Sequence, residues 1–92
     1  MSQPEILNSR YQLSEVLGEG GFGAVFKAQD LILHRTVAVK RLHREISQIP
    51  EQADRFLAEA RLTSQLSNPN ILTLFDFGTD EDGQLFLVKI FD

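Results

Sequence analysis

The sequence contains no cysteine, which excludes disulfide bonds, a thiol nucleophile and thiolate metal ligands. Basic residues are few: nine lysines and arginines stand against thirteen acidic residues, and the net charge of −4 argues against non-specific nucleic-acid binding. No apolar run approaches the roughly 20 residues that span a bilayer. Residues 1–5 also lack the basic and apolar parts of a signal peptide. Together these absences predict a soluble, cytoplasmic chain with neither a nucleic-acid nor a membrane partner.

What is present is the composition of a small globular domain. The 92 residues are 42% hydrophobic and 24% charged, which is typical of folded proteins. A chain of this length buries only roughly 60–65% of its unfolded surface, so we expect one domain of marginal stability. The length argues against a large two-lobed enzyme.

Alternating apolar residues and turn signals predict five strands. These strands are 11–17, 24–30, 36–42, 71–77 and 84–91. One main helix is predicted from Pro50 to about Ser67, because proline suits the first helical turn and apolar residues then recur at helical spacing. Short hairpin connections predict a twisted, five-stranded antiparallel sheet packed on this helix, so the fold class is α+β. Residues 1–10 show no pattern and are expected to form a lead-in.

The most informative segment is the glycine-rich stretch at residues 18–23. Glycines at 18, 20 and 23 let the backbone turn tightly and bring its N–H groups close to an anionic ligand. The same spacing occurs in dinucleotide-binding folds, which need a helix after the glycines and an acidic residue roughly 20 positions further on. Here a strand is predicted after Gly23, and the downstream position holds Lys40-Arg41. The dinucleotide-binding alternative is therefore rejected.

From Leu17 to Lys40 the sequence resembles the nucleotide-binding signature of the protein kinase family. An aliphatic residue precedes the glycines, Val25 lies two places after the last of them, and Val37-Ala38-Val39-Lys40 follows. The details look most like bacterial Ser/Thr kinases of the eukaryotic type. The resemblance extends over residues 11–92, which it identifies as a partial kinase domain, the N-terminal lobe, ending near the hinge.

The resemblance implies ATP as the ligand, with Mg²⁺ bound only when the C-terminal lobe is present. The loop backbone would cover the phosphates, Leu17, Val25 and Ala38 would pack on the adenine, and Lys40 would contact the α- and β-phosphates. The residues that it assigns to nucleotide binding are Leu17, Gly18, Glu19, Gly20, Gly21, Phe22, Gly23, Val25, Ala38 and Lys40.

Glu59 is predicted to be the carboxylate that holds Lys40, and the resemblance makes both catalytic residues. On a helical wheel Glu59 lies about 60° from Phe56, at the edge of the apolar face, where an unpaired charge would be costly. We therefore expect the Lys40 ammonium within about 4 Å of the Glu59 carboxylate. Glu51 and Asp54 are predicted to face solvent.

No metal ligand is assigned. Asp76-Phe77-Gly78 spells the metal-binding triplet of kinases, but it follows Lys40 by only 36 residues and no His-Arg-Asp catalytic loop precedes it. The triplet is therefore predicted to be an ordinary strand end. His34 and His43 have no partner at metal-ligand spacing and are predicted to lie on the surface.

The sequence departs from the family at its C-terminal end. Lys89-Ile90-Phe91 stands where kinases usually have Met-Glu-Tyr at the gatekeeper and hinge, and a lysine there is unfavourable unless it is paired. The motifs of the C-terminal lobe are missing, so the chain alone is not expected to transfer phosphate. Two functions stay open: the ATP-binding lobe of a Ser/Thr kinase, present as a fragment, or a non-catalytic regulatory or interaction module derived from such a lobe.

Apolar side chains near the missing lobe are expected to be exposed. They would support self-association or docking of a C-lobe partner. The side chains concerned are Phe56, Leu66, Val88, Ile90 and Phe91.

Overall fold

A computed structural model of the chain describes residues 3–66 and 74–91, with side-chain surroundings for 3–61 and 76–91. The strands form one antiparallel sheet in the order β1-β2-β3-β4-β6-β5. The elements are β1 (Ile6–Leu7), β2 (Tyr11–Glu19), β3 (Gly23–Asp30), β4 (Arg35–Leu42), α1 (Arg44–Ser47), α2 (Pro50–Leu66), β5 (Leu74–Thr79) and β6 (Leu85–Ile90). The predicted α+β class, with an antiparallel sheet and one main helix, is confirmed.

The element bounds agree closely with the sequence pattern. Strands β2, β3, β4 and β6 begin and end within two residues of the predicted bounds, and α2 begins at Pro50 as expected. The fourth predicted strand, 71–77, corresponds to β5. Its first three residues, 71–73, and the predicted helix end at Ser67 lie outside the described residues. Neither described helix is long and apolar enough to cross a membrane.

The lead-in adds a sixth strand that the sequence pattern did not predict. Asn8 and Ser9 both have positive φ angles, 51° and 58°, and the Arg10 N–H donates to the Leu7 carbonyl over 3.1 Å. Such a turn matches the twist of antiparallel strands, so the chain doubles back and β1 pairs with the start of β2. Leu7 thereby enters the core with 2% of its surface exposed.

The two faces of the sheet are buried differently. Along β4, Val37 and Val39 point into the larger core, whose other members come mainly from the remaining strands. Lys40 and Leu42 alternate with them and point to the opposite face, which α2 covers. That larger core contains Leu7, Tyr11, Leu13, Ala28, Val37, Val39, Phe86 and Val88. The alternation therefore places Lys40 on the helix-covered face.

The sheet is closed by contacts between its first hairpin and the β5–β6 turn. The Asn8 N–H donates to Glu81 Oε1 over 2.9 Å. Arg41 pairs with Glu5 at 2.9 Å and with Asp80 at 2.8 Å, joining the lead-in, β4 and the turn. The hairpin therefore packs over the larger core instead of projecting into solvent.

The prediction of an exposed apolar surface is wrong for two of its residues. Val88 is fully buried because it lies opposite Val39 and points into the larger core. Phe56 is buried because it packs between α2 and the sheet on Leu42 and Leu87. Ile90 is exposed and Phe91 half-buried, whereas the Leu66 side chain lies outside the described part. Self-association or docking of a C-lobe partner stays a prediction that rests on the end of β6.

Candidate functional site

The glycine-rich loop forms a tight turn between β2 and β3. The Gly20 N–H donates to the Gly23 carbonyl over 3.0 Å, and the Gly23 N–H donates back to the Gly20 carbonyl over 3.3 Å. The paired hydrogen bonds fix the loop tip, which carries Phe22. A turn of this kind can bring backbone close to a ligand, as the sequence predicted.

Gly23 is required by a close approach of two backbones. Its φ angle is 153°, and a Cβ built at this position would collide with the Arg41 carbonyl oxygen and approach Leu42 Cα to 2.8 Å. Any side chain at position 23 would therefore push the loop away from β4. Gly18 and Gly21, in contrast, have no heavy atom within 4 Å of an added Cβ.

Lys40 and Glu59 form the predicted ion pair. The Lys40 ammonium lies 2.9 Å from Glu59 Oε1 and 3.3 Å from Oε2, with about a third of each side chain exposed. Glu51 and Asp54 lie on the solvent side of the same helix, as predicted. The helical phasing is therefore confirmed, and the contact places a cation on the helix-covered face of β4.

The environment of Glu59 favours its charged form. Partial burial, the largest single influence, raises the pKa of the Glu59 carboxyl, and the hydrogen bond and the positive charge of Lys40 oppose this effect. Lys89 adds a smaller contribution in the same direction, and the resulting pKa lies below its ordinary value. Glu59 is therefore ionised at neutral pH and available as an anionic partner for lysine.

Lys89 is paired, which resolves the difficulty that the sequence raised. Its ammonium lies 3.4 Å from Glu59 Oε2, so two lysines from neighbouring strands face the same carboxylate. A cationic side chain at this position is tolerated because the helix supplies an anion to it. Sequence reasoning singled out the position of Lys89 but did not identify this partner.

A cleft of about 150 Å³ lies between the glycine loop, β4 and α2. Its walls include Phe22, Lys40, Arg55 and Glu59. The Phe22 ring centroid lies 5.5 Å from the Lys40 ammonium, within the range of a cation–π contact. The loop tip, the lysine and the helix carboxylate are thus assembled in one place, as their predicted roles require.

The residues predicted to pack on adenine lie beside this cleft, outside its walls. Val25 is directly opposite Lys40 in the register of β3 and β4, and Ala38 is two residues before Lys40 on the same face. Leu17, near the end of β2, has 46% of its surface exposed. Val25 and Ala38 therefore share the sheet face of Lys40, while Leu17 lies at an irregularity in the pairing of β2 with β3.

Asp76 lies away from the cleft, on the edge strand β5. Its Oδ2 accepts a hydrogen bond from the Tyr11 hydroxyl over 2.8 Å. Among residues 3–61 and 76–91, no three side chains of the metal-ligating types come together. The Asp76-Phe77-Gly78 triplet lies inside β5, which continues to Thr79, so the prediction that it forms the strand end is wrong.

His43 contributes a contact that sequence reasoning missed. Its backbone N–H donates to the Phe22 carbonyl over 2.9 Å, and its Nε2 lies 3.1 Å from the Gly20 carbonyl oxygen. The imidazole lies on the surface, as predicted, but it also ties the glycine loop to the end of β4. No spacing in the sequence indicates this role, because it depends on how far the loop folds over β4.

Comparisons with curated proteins return bacterial Ser/Thr kinases. The chain is 42% identical over 81 residues to the serine/threonine-protein kinase PknB of Mycolicibacterium smegmatis, which covers 88% of this chain and 13% of that protein. It is 41% identical over 76 residues to PksC of Streptomyces coelicolor, covering 83% of this chain and 14% of the relative. The chain thus spans about a seventh of the length of these relatives.

Among solved structures, the fold matches the kinase domain of Mycobacterium tuberculosis PknI. The TM-score is 0.74 at 24% sequence identity, and the match covers 99% of this chain and 36% of that one. The similarity supports the fold. The family model described as the protein kinase domain matches residues 11–92. The chain therefore belongs to the protein kinase domain family, of which it carries the N-terminal part.

Proposed function

We propose that this chain is the ATP-binding part of a Ser/Thr protein kinase domain. The observation that carries the proposal is the Lys40–Glu59 pair at 2.9 Å, beside a glycine loop that is fastened to the end of β4. A lysine held by a carboxylate is oriented to meet the phosphates of a nucleotide. No feature of the described residues favours the alternative of a non-catalytic interaction module.

The residues beside Lys40 fit a nucleotide. Ala38 has a small side chain on the same sheet face, and Val25, directly opposite Lys40, offers an apolar surface for a planar base. The loop at residues 18–23 supplies backbone N–H groups of the kind that approach phosphates. When bound, ATP would supply the phosphoryl group. Lys40 would bind and orient its phosphates, and Val25 and Ala38 would position its base.

The proposal is tested by nucleotide titration calorimetry on the 92-residue chain. Lys40→Met is expected to weaken ATP binding about tenfold, since a hydrogen bond from a charged group is lost, while adenosine binding is unchanged. Arg61→Met removes an exposed cation from α2 and should bind ATP like the parent chain. Equal ATP affinity in all three proteins would contradict the proposal.

Phosphoryl transfer is a separate question. Within these 92 residues we find no candidate for the base that orients the acceptor hydroxyl, nor for the Asp and Asn that hold Mg²⁺ in the family. Incubation with labelled ATP, Mg²⁺ and a generic protein acceptor should therefore give no incorporation above that of Lys40→Met. Transfer lost specifically in that variant would show that a partner chain supplies the other lobe.

A further inference from the structure

Lys89 occupies the same sheet face as Lys40. Residue 89 lies opposite Ala38 in the register of β4 and β6, and Leu87, two residues earlier, lies opposite Lys40. Directly paired residues of antiparallel strands point to the same face. The two ammonium groups therefore approach Glu59 from adjacent strands, Lys40 at 2.9 Å and Lys89 at 3.4 Å.

A neighbouring lysine shows that this arrangement is not a general property of the face. Lys27, on β3, is also directly opposite Ala38, so Lys27, Ala38 and Lys89 form one row across three neighbouring strands. Its ammonium lies 5.3 Å from the Phe91 ring centroid, directed towards the end of the chain. Lys89 is thus distinguished from Lys27 by its contact with α2.

Helix α2 meets the sheet through an apolar contact and, next to it, through the charged contacts of Glu59. Phe56, one helical turn earlier, packs on Leu42 and Leu87. Ala60 is also buried, and at the flank of this apolar contact the helix is held by charge, through Glu59 and the two lysines. If Lys40 also donated to an anion in the cleft, its hold on Glu59 would weaken, and Lys89, which donates to Glu59 Oε2, would help to keep the carboxylate in place.

We propose that Lys89 is a positioning residue that shares Glu59 with Lys40 and helps to keep helix α2 docked while Lys40 donates to both Glu59 and a polyphosphate anion. The consequence for nucleotide binding rests on the proposed function. The sharing of the Glu59 carboxylate does not rest on the proposed function, because both lysine contacts are present in the chain without ligand. A methionine at position 89 would keep the length of the side chain and remove the second cation.

The first test measures amide hydrogen exchange in α2, relative to β2 and β3 of the same molecule, which corrects for global unfolding. Lys40→Met removes the contribution of Lys40 to the hold on Glu59. Lys40→Met and Lys89→Met should each accelerate α2 exchange by at most about fivefold, since a partly exposed pair is weak. The acceleration of α2 exchange in the double variant should exceed the product of the two single accelerations, because each lysine compensates for loss of the other. A double effect equal to or below that product would overturn the proposal.

The second test titrates the Glu59 carboxyl by carbon NMR. Lys89→Met should raise the midpoint of this titration, Lys89→Arg should restore it, and Lys27→Met should leave it at the value of the parent chain. A Glu59 midpoint that is the same in Lys89→Met and Lys27→Met would overturn the proposal. Neither test contains nucleotide, so a failure of ATP binding and a failure of the Lys89 proposal are distinguishable.

Discussion

The Tyr11 hydroxyl donates a hydrogen bond to Asp76 Oδ2 over 2.8 Å, although the two residues are 65 positions apart in the chain. Three strands lie between β2 and β5 in the order of the sheet, so this contact shows that the sheet curls until the two approach each other. Tyr11 is buried, and its burial together with the bond to Asp76 raises the pKa of the phenol. The hydroxyl is thereby kept as a neutral donor.

Removal of the Tyr11 hydroxyl is expected to weaken the closure of the sheet. Tyr11→Phe keeps the ring, whose centroid lies 6.3 Å from that of Phe86, and should lower the free energy of unfolding by about 1–2 kcal/mol in urea titrations. In a cycle with Asp76→Asn, the double variant should lose less stability than the sum of the single variants. Strict additivity would show that the hydrogen bond contributes nothing.

The glycine loop offers a comparison of two glycines two positions apart. Gly23→Ala should lower the free energy of unfolding by about 3 kcal/mol or more, because the new Cβ meets the Arg41 carbonyl and the backbone angle disfavours side chains. Gly21→Ala meets no atom within 4 Å and should change stability by less than about 0.5 kcal/mol. Thermal unfolding of both variants measures the difference, and equal losses would contradict the close approach of loop and β4.

Asp30 links stability to pH. Its carboxylate is fully buried and accepts two hydrogen bonds from Arg10, at 3.0 and 2.9 Å, and others from the backbone N–H groups of Ile32 and Leu33. The Arg10 hydrogen bond is the largest influence on the pKa of Asp30; burial opposes it, and the pKa falls well below its ordinary value of 3.8. The ionised carboxylate therefore stabilises the folded state above about pH 4.

Asp30→Asn should cost about 2 kcal/mol at pH 7, because hydrogen bonds to a charged group are lost. A group with a depressed folded-state pKa loses its contribution as the pH falls below the unfolded pKa, so the cost should shrink between about pH 4 and pH 2. Urea unfolding at several pH values measures this trend. Asp54→Asn, at an exposed position of α2, serves as the control, and a cost for Asp30→Asn that does not vary with pH would contradict the assignment.

Arg41 and Glu5 differ in what their removal leaves behind. Arg41→Met deprives Asp80, whose side chain is 2% exposed, of its cation and should cost about 3 kcal/mol. Glu5→Gln removes a half-exposed partner of the same arginine and should cost less than about 1 kcal/mol. Differential scanning calorimetry compares the two variants. A loss for Glu5→Gln as large as that for Arg41→Met would place the main anchor in the lead-in instead.

The sequence was sufficient to predict the central pair of the site. The resemblance to kinases implied that a helix carboxylate holds Lys40, and helical phasing from Phe56 selected Glu59 at the edge of the apolar face. The choice of Glu59 depends on local periodicity, which holds wherever a helix is regular, whereas the role of Lys40 depends on the motif Val37-Ala38-Val39-Lys40. The identity of their partner, Lys89, depends on which strand neighbours β4, and that pairing is between strands distant in the sequence.

The wrong or missing predictions also concern contacts between residues that are distant in the sequence or features too short to show a period. Val88 was predicted to be exposed because the missing lobe was expected to cover it, whereas it pairs with Val39 on the neighbouring strand and points into the larger core. Strand β1 is too short to show a period, and its existence depends on positive φ angles at Asn8 and Ser9. For the ion pairs of Arg41, in contrast, the sequence did contain a usable signal. Strand alternation places Arg41 on the same face as Val39, and an arginine on a buried face needs carboxylates nearby.

The closure between the first hairpin and the β5–β6 turn also constrains the order in which the molecule assembles. Strands β2, β3 and β4 pair with their neighbours in sequence, but Asn8 and Glu81 are 73 positions apart. Long loops close slowly, so closure should be the final step of folding. During synthesis the first three long strands can pair while the partners of Tyr11 on β5 and β6 are not yet made. Until then the apolar face of β2 stays uncovered, and the nascent chain is most prone to aggregate in that interval.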